Sequence, residues 1–144
     1  MAKTQKPTCL AIVVCESVVD DLRTRQKCIL NTIGNILAHR QPPIQIDRLT
    51  AYMALTNGHG KQPLRVFLVQ VGIEEKPCFE IKGEVRFDSP LDIQEVVFDW
   101  RQIVLPSLGH YAIKLEVNGE VIAERRIEVI LDAPPTRNQN EKGT

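Results

Sequence analysis

The stretch FEIKGEVRF, Phe79 to Phe87, decides the fold class. Phe79, Ile81, Val85 and Phe87 share one parity with Gly83, while Glu80, Lys82, Glu84 and Arg86 share the other. Successive side chains of a strand point to opposite faces, so this alternation puts one side in a core and the other in water. On a helix the same four charges would scatter over the surface. After the turn DSPLD, which carries Pro90, the segment QEVVFDW repeats the period with Val96, Phe98 and Trp100.

The same reading extends upstream. CLAIVVC (9–15) reads as a strand buried on both faces, DDLRTRQK (20–27) as a polar turn and CILNTI (28–33) as a second strand, which together make a hairpin. GNILAHRQPP (34–43) has room for a short helical turn that Pro42 and Pro43 would stop. DRLTAYMAL (47–55) alternates Leu49, Ala51, Met53 and Leu55, and NGHGKQP (57–63) reads as a hairpin loop leading to LRVFLVQVGI (64–73). Short strands joined by short turns, with no long helical period, predict an all-β, antiparallel β-sandwich of about 7–8 strands.

The C-terminal part has a register question. Tyr111, Ile113, Leu115 and Val117 form one inward set, and Val121, Ala123, Ile127, Val129 and Leu131 form another, with Arg125 as its misfit. A two-residue Asn118-Gly119 turn would set Leu115 opposite Ile122, against that pattern. A three-residue loop of Val117, Asn118 and Gly119 sets Leu115 opposite Val121 and Ile113 opposite Ala123, with Gly119 left-handed in a bulge, and is the expected form. Arg125 then lies beside Tyr111 at the rim or flips outward at a second bulge. The run-in PSLGHY (106–111) resembles the tyrosine corner of immunoglobulin-like sandwiches, in which the phenol bonds back to the backbone. Ile113 stands where immunoglobulin domains carry a cysteine, so no inter-sheet disulfide is expected.

Taken together, ESVVDDLRTRQKCILNTIGNI (16–36), PLDIQEVVFDW (90–100) and LPSLGHYAIKLEVNGEVIAERRIEV (105–129) resemble an uncharacterised bacterial family of small single-domain β-sandwich proteins, immunoglobulin- or macroglobulin-like in architecture. The resemblance covers nearly all of the chain except the ends. It implies a fold and a bacterial setting, and brings no activity or catalytic residue with it.

A chain of 144 residues, 43% of them hydrophobic, suits one domain with a real core. The expected division is a disordered tail over 1–7, a single β-sandwich domain over 8–131 and a disordered tail over 132–144, where APPTRNQNEKGT has no apolar period. Lys and Arg total 18 and Asp and Glu total 18, so the basic field that neutralises phosphates is missing. Aromatic residues at 5% also leave few platforms for stacked bases. Nucleic acid is therefore not an expected partner. The apolar run of residues 9–15 is short for a secretory signal, and Glu16, Asp20 and Asp21 follow it. No stretch approaches the roughly 18 apolar residues of a membrane span. The expected location is cytoplasmic, with no membrane partner.

The sequence carries no catalytic or metal-binding signature. Cys9, Cys15, Cys28 and Cys78 form no CxxC pair, and a reducing compartment keeps them as thiols. All but Cys78 lie in apolar strand-like runs and read as small buried hydrophobes. His39, His59 and His110 never fall at metal-ligand spacing, and a Cys28–His110 dyad would meet only in space. GxSxG is absent, and Ser17, Ser89 and Ser107 stand in polar or turn contexts. Gly60-Lys61 fails as a phosphate loop because Leu55, Gln62 and Pro63 occupy its other key positions. Glu16, Asp20 and Asp21 lack the alternation of a calcium loop and have Arg23 and Arg25 beside them. PPTRNQ (134–139) lacks PxxP spacing.

No catalytic, cofactor-binding or metal-binding residue is assigned, and no cofactor is expected. The expectation is a non-catalytic protein-binding or structural module, set against a small-ligand pocket or a Cys/His-based hydrolase. Its expected contact is an open strand edge, VIAERRIEVIL (121–131) or GNILAHR (34–40), with Ile122 and Ile130 as an apolar patch for a protein partner or a second copy.

Overall fold

The computed structural model describes residues 6–73 and 76–132. Among them the chain runs through nine strands: β1 (Thr8–Asp21), β2 (Gln26–Thr32), β3 (Asn35–Ala38), β4 (Ile44–Thr56), β5 (Gly60–Gln70), β6 (Phe79–Phe87), β7 (Gln94–Leu105), β8 (Gly109–Val117) and β9 (Glu120–Leu131). They form two sheets, ordered β2-β1-β4-β7 and β3-β9-β8-β5-β6. The all-β class stands. The strand count rises from 7–8 to nine, and the second sheet is mixed because β3 pairs with β9 in parallel. The two expected tails lie mostly at residues 1–5 and 133–144, outside the described residues.

Period two holds wherever a strand has one wet side. Phe79 to Phe87 alternates inward and exposed as β6, and Leu49, Ala51, Met53 and Leu55 of β4 are fully buried. These β4 residues and Val14 of the first sheet join Leu64, Val66, Leu68, Val85, Phe87, Tyr111, Ile113 and Leu115 of the second in one hydrophobic cluster. Burying a side chain of this size contributes about 1.5–3 kcal/mol, so the shared cluster is what holds the two sheets together. The single tryptophan, Trp100, packs on Phe79 with ring centroids 4.5 Å apart.

Two facing strands change parity at the same level. On β4 the core set passes from Leu49 to Ile46 and Ile44, and on β7 from Trp100 to Ile103 and Leu105, while the pairing Leu49↔Trp100, Ile46↔Ile103 and Ile44↔Leu105 keeps one register. Gln102 takes φ 53 there. Both strands therefore re-aim their side chains together without losing the ladder.

Four local expectations are corrected. GNILAHRQPP contains no helical turn: Asn35–Ala38 is extended because β9 offers it backbone partners, with the Glu128 amide donating to Gly34 O at 3.4 Å and the Asp132 amide to Ala38 O at 2.7 Å. Residues 9–15 are less buried than expected, since Leu10 is exposed and full burial is confined to Val14 and Cys15. NGHGKQP is no hairpin loop: β4 and β5 belong to different sheets, so it crosses between layers, and its last four residues already belong to β5. Gly58 is needed at that crossing because a Cβ there would fall 2.1 Å from the Phe87 ring.

The β8–β9 turn is the fourth. Val117 pairs with Glu120, so the loop is the two residues Asn118 (φ 52) and Gly119 (φ 80), both left-handed as a type I′ turn requires. The conflict that favoured a longer loop is resolved by a bulge instead. The register shifts between Leu115 and Glu116, and Leu115 comes to face Ala123. Arg125 consequently lies opposite Ile113, not Tyr111, without a second bulge. Its guanidinium donates to Ile12 O of β1 at 3.5 Å, so the inward-parity charge escapes at the gap between the sheets.

Candidate binding cleft and strand edge

The tyrosine corner is present as hydrogen bonds. The Tyr111 hydroxyl donates to Ser107 O at 2.8 Å and accepts from the Ser107 amide at 3.2 Å. The chain passes here from β7 in one sheet to β8 in the other, and a fully buried phenol fixes that passage. At the opposite end of β5, where the chain enters from β4, buried Gln62 donates to His59 O and accepts from the Asn118 side-chain amide, each at 3.0 Å. Such bonds offset the cost of burying a polar amide. Sequence reading missed Gln62, because one polar residue at an inward position carries no sign of its partners.

The four thiols differ in exposure. Cys15 is fully buried, Cys9 and Cys78 are half-buried, and Cys28 is exposed on β2. This reverses the expectation for Cys28, which stands on the wet face of an edge strand. Cys78, placed outside the strands by sequence, packs against the core. Burial raises the thiol pKa of Cys9, Cys15 and Cys78, which favours the protonated form over the nucleophilic thiolate. Cys28 and His110 belong to different sheets, and His110 instead lies 3.7 Å from Glu128. His39 lies 3.7 Å from Asp132, and among the described residues no three His, Cys, Asp or Glu side chains gather as a metal site.

On the outer face of the first sheet, Asp99 is gripped by Arg48 through bonds of 3.2 and 3.1 Å and by the Thr50 hydroxyl at 3.2 Å. Burial works against its charge, but the bonds from Arg48 and Thr50, with Arg48 and Arg101 nearby, outweigh it and hold the carboxyl below its ordinary range. Nearby, the Tyr52 hydroxyl donates to Glu95, and burial together with that carboxylate pushes the phenol up to about 12. Both arrangements bridge β4 and β7 and serve as sheet fastenings.

The concave feature lies elsewhere, between β3 and the start of β4. A cleft of about 700 Å³ is lined by Ile36, Leu37, His39, Arg40, Pro43 and Ile44, and continues along β4 to Asp47. A smaller hollow of about 330 Å³, sharing Ile46 and Asp47, adjoins it beside Glu16 and Asn31. Arg40 and Asp47 are exposed, and neither forms an ion pair among the described residues.

The strand beside the cleft is an edge. In a parallel ladder the bonding residues of a strand alternate, and Gly34 and Ala38 both bond to β9, so Ile36 does too. Asn35 and Leu37 therefore direct their amides and carbonyls away from β9. No described strand pairs with that side. Leu37, 56% exposed, lies beside Ile130, 36% exposed. The two segments expected as alternative edges thus meet in one surface. Ile122 is not part of it: half-buried at the bulge, it packs against the core.

A family model matches residues 10–130, and it describes a family of unknown function, DUF6941. The chain belongs to this family. The DUF6941 match spans β2 to β8 whole and nearly all of β1 and β9, so it includes both sheets and the cleft. No curated protein matches the chain. Among the described residues no helix is long and apolar enough to cross a membrane.

Proposed function

We propose that this chain is a non-catalytic protein-binding module which takes an extended segment of a partner along β3. The observation that carries the reading is the open backbone of Asn35 and Leu37 standing beside the cleft. A strand added there gains main-chain hydrogen bonds. Its alternate side chains enter the apolar part of the cleft at Ile36, Pro43 and Ile44, the mode by which exposed sheet edges recognise peptides. Arg40 and Asp47 offer opposite charges for orientation, which favours one partner direction over the other. The placement of Cys28 and His110 in different sheets, with the other three thiols held protonated by burial, supports binding over a Cys/His-based hydrolysis.

The immunoglobulin-like likeness belongs to the same reading. It is supported by the Tyr111 corner and the shared core, and the parallel β3 strand is the departure from a plain sandwich. A bacterial, cytoplasmic setting is in keeping with four free thiols.

Photo-crosslinking tests the proposal. A crosslinking residue at position 37 should capture a discrete protein in cells, and Leu37→Asp should abolish that protein's co-purification. The control is position 91, exposed in the β6–β7 connection away from the cleft. The same products at both positions, or none at 37, would reject the edge as a contact.

A further inference from the structure

The other exposed edge of interest is β2, which closes the first sheet. Natural edges are guarded by charges, bulges, prolines or brevity. β6 shows Glu80, Lys82, Glu84 and Arg86 on its outer face, and β3 has four residues. β2 has little such protection. From Gln26 to Leu30 it contains no proline and no register shift, and its one charge, Lys27, is bonded to Asp20 at 2.9 Å. Beyond Gln26 its outer face is apolar: Cys28 is exposed, Leu30 is 45% exposed, and Val19, directly opposite Cys28 on β1, is 46% exposed.

This edge is also self-complementary. Left-handed residues bound the regular run on both sides, Arg25 at φ 61 and Asn31 at φ 56, leaving five extended residues centred on Cys28. We infer that two copies of this chain associate through β2, antiparallel about a two-fold axis at Cys28, to make one continuous eight-stranded sheet. In that register Cys28 faces Cys28 of the second copy, Gln26 faces Leu30, and Lys27 faces Ile29. No like charges oppose one another. The apolar strip of Val19, Cys28 and Leu30 is continued across the axis, and the aliphatic stem of Lys27 covers Ile29. Such a two-fold contact closes on itself, so it stops at a dimer. It is independent of the β3 cleft and leaves that surface free.

Sedimentation of the full chain under reducing conditions should give about twice the 16.3 kDa chain mass. Residues directly opposite in an antiparallel pair have Cα atoms about 4.5–5.5 Å apart, within disulfide reach. Copper-phenanthroline, oxidising the two thiols, should therefore link the wild-type dimer through Cys28, located by mass spectrometry. Cys28→Ser should keep the non-covalent dimer and lose the link. Cys28→Glu, which sets two carboxylates face to face, should weaken association ~5-fold or more, and mixing it with Cys28→Lys should restore a dimer. Unchanged Trp100 fluorescence establishes that each variant is folded. A wild-type monomer at every concentration, a dimer indifferent to Cys28→Glu, or one dissolved by Leu37→Asp instead, would overturn the pairing.

Discussion

Removing the Tyr111 hydroxyl would leave the carbonyl and amide of Ser107 without their partner at the β7–β8 crossing. Tyr111→Phe should cost about 1–3 kcal/mol, the penalty of a buried polar group left unpaired. A lowered urea midpoint with unchanged slope is the expected result. This residue was legible in the sequence because a tyrosine soon after a turn glycine is a local pattern. Asp99 was not legible, since its partners Arg48 and Thr50 come from β4. Its folded pKa lies below the ordinary value near 3.8. The stabilisation it contributes is thus fully present above about pH 4 and is lost as pH falls through the lower folded value. Asp99→Asn should lower the urea midpoint at pH 6, and the gap to wild type should narrow at pH 3.

At the scale of the element, β3 shows how a strand can form without a pattern of its own. Four residues are too few for period two to stand out, and Asn-Ile-Leu-Ala has no alternation that separates strand from helix. What extends it is the ladder with β9. Hydrogen exchange should reflect the alternation: the Ile36 and Ala38 amides protected, those of Asn35 and Leu37 exchanging much faster. Equal protection at all four would show the edge to be covered in the free protein. The β8–β9 turn was partly legible. Asn-Gly pointed to a hairpin, but parity alone does not tell a longer loop from a short turn followed by a bulge. Gly119→Ala should cost roughly 1–2 kcal/mol, because φ 80 is strained for any residue with a Cβ, and thermal unfolding measures it.

Across the whole molecule, one cluster of buried side chains serves both sheets. Cooperative unfolding in a single step is the consequence, with fluorescence and circular dichroism reporting the same transition. Leu115→Ala, at a fully buried position in that cluster, should lower stability by about 2–5 kcal/mol while keeping the transition single. Two separated transitions would mean the sheets are energetically distinct.

Local patterns in the order of residues are enough to make the chain extended, to choose the dry face of most strands and to place several turns. These follow from neighbours two to four residues apart, whose side chains alternate or punctuate. Long-range packing makes β3 run parallel to β9, carries NGHGKQP between layers, leaves Cys28 in water and opens a cleft beside Asn35 and Leu37. Each depends on which distant strand becomes a neighbour, and backbone hydrogen bonding, being nearly the same for every residue, leaves no mark of that choice on the sequence.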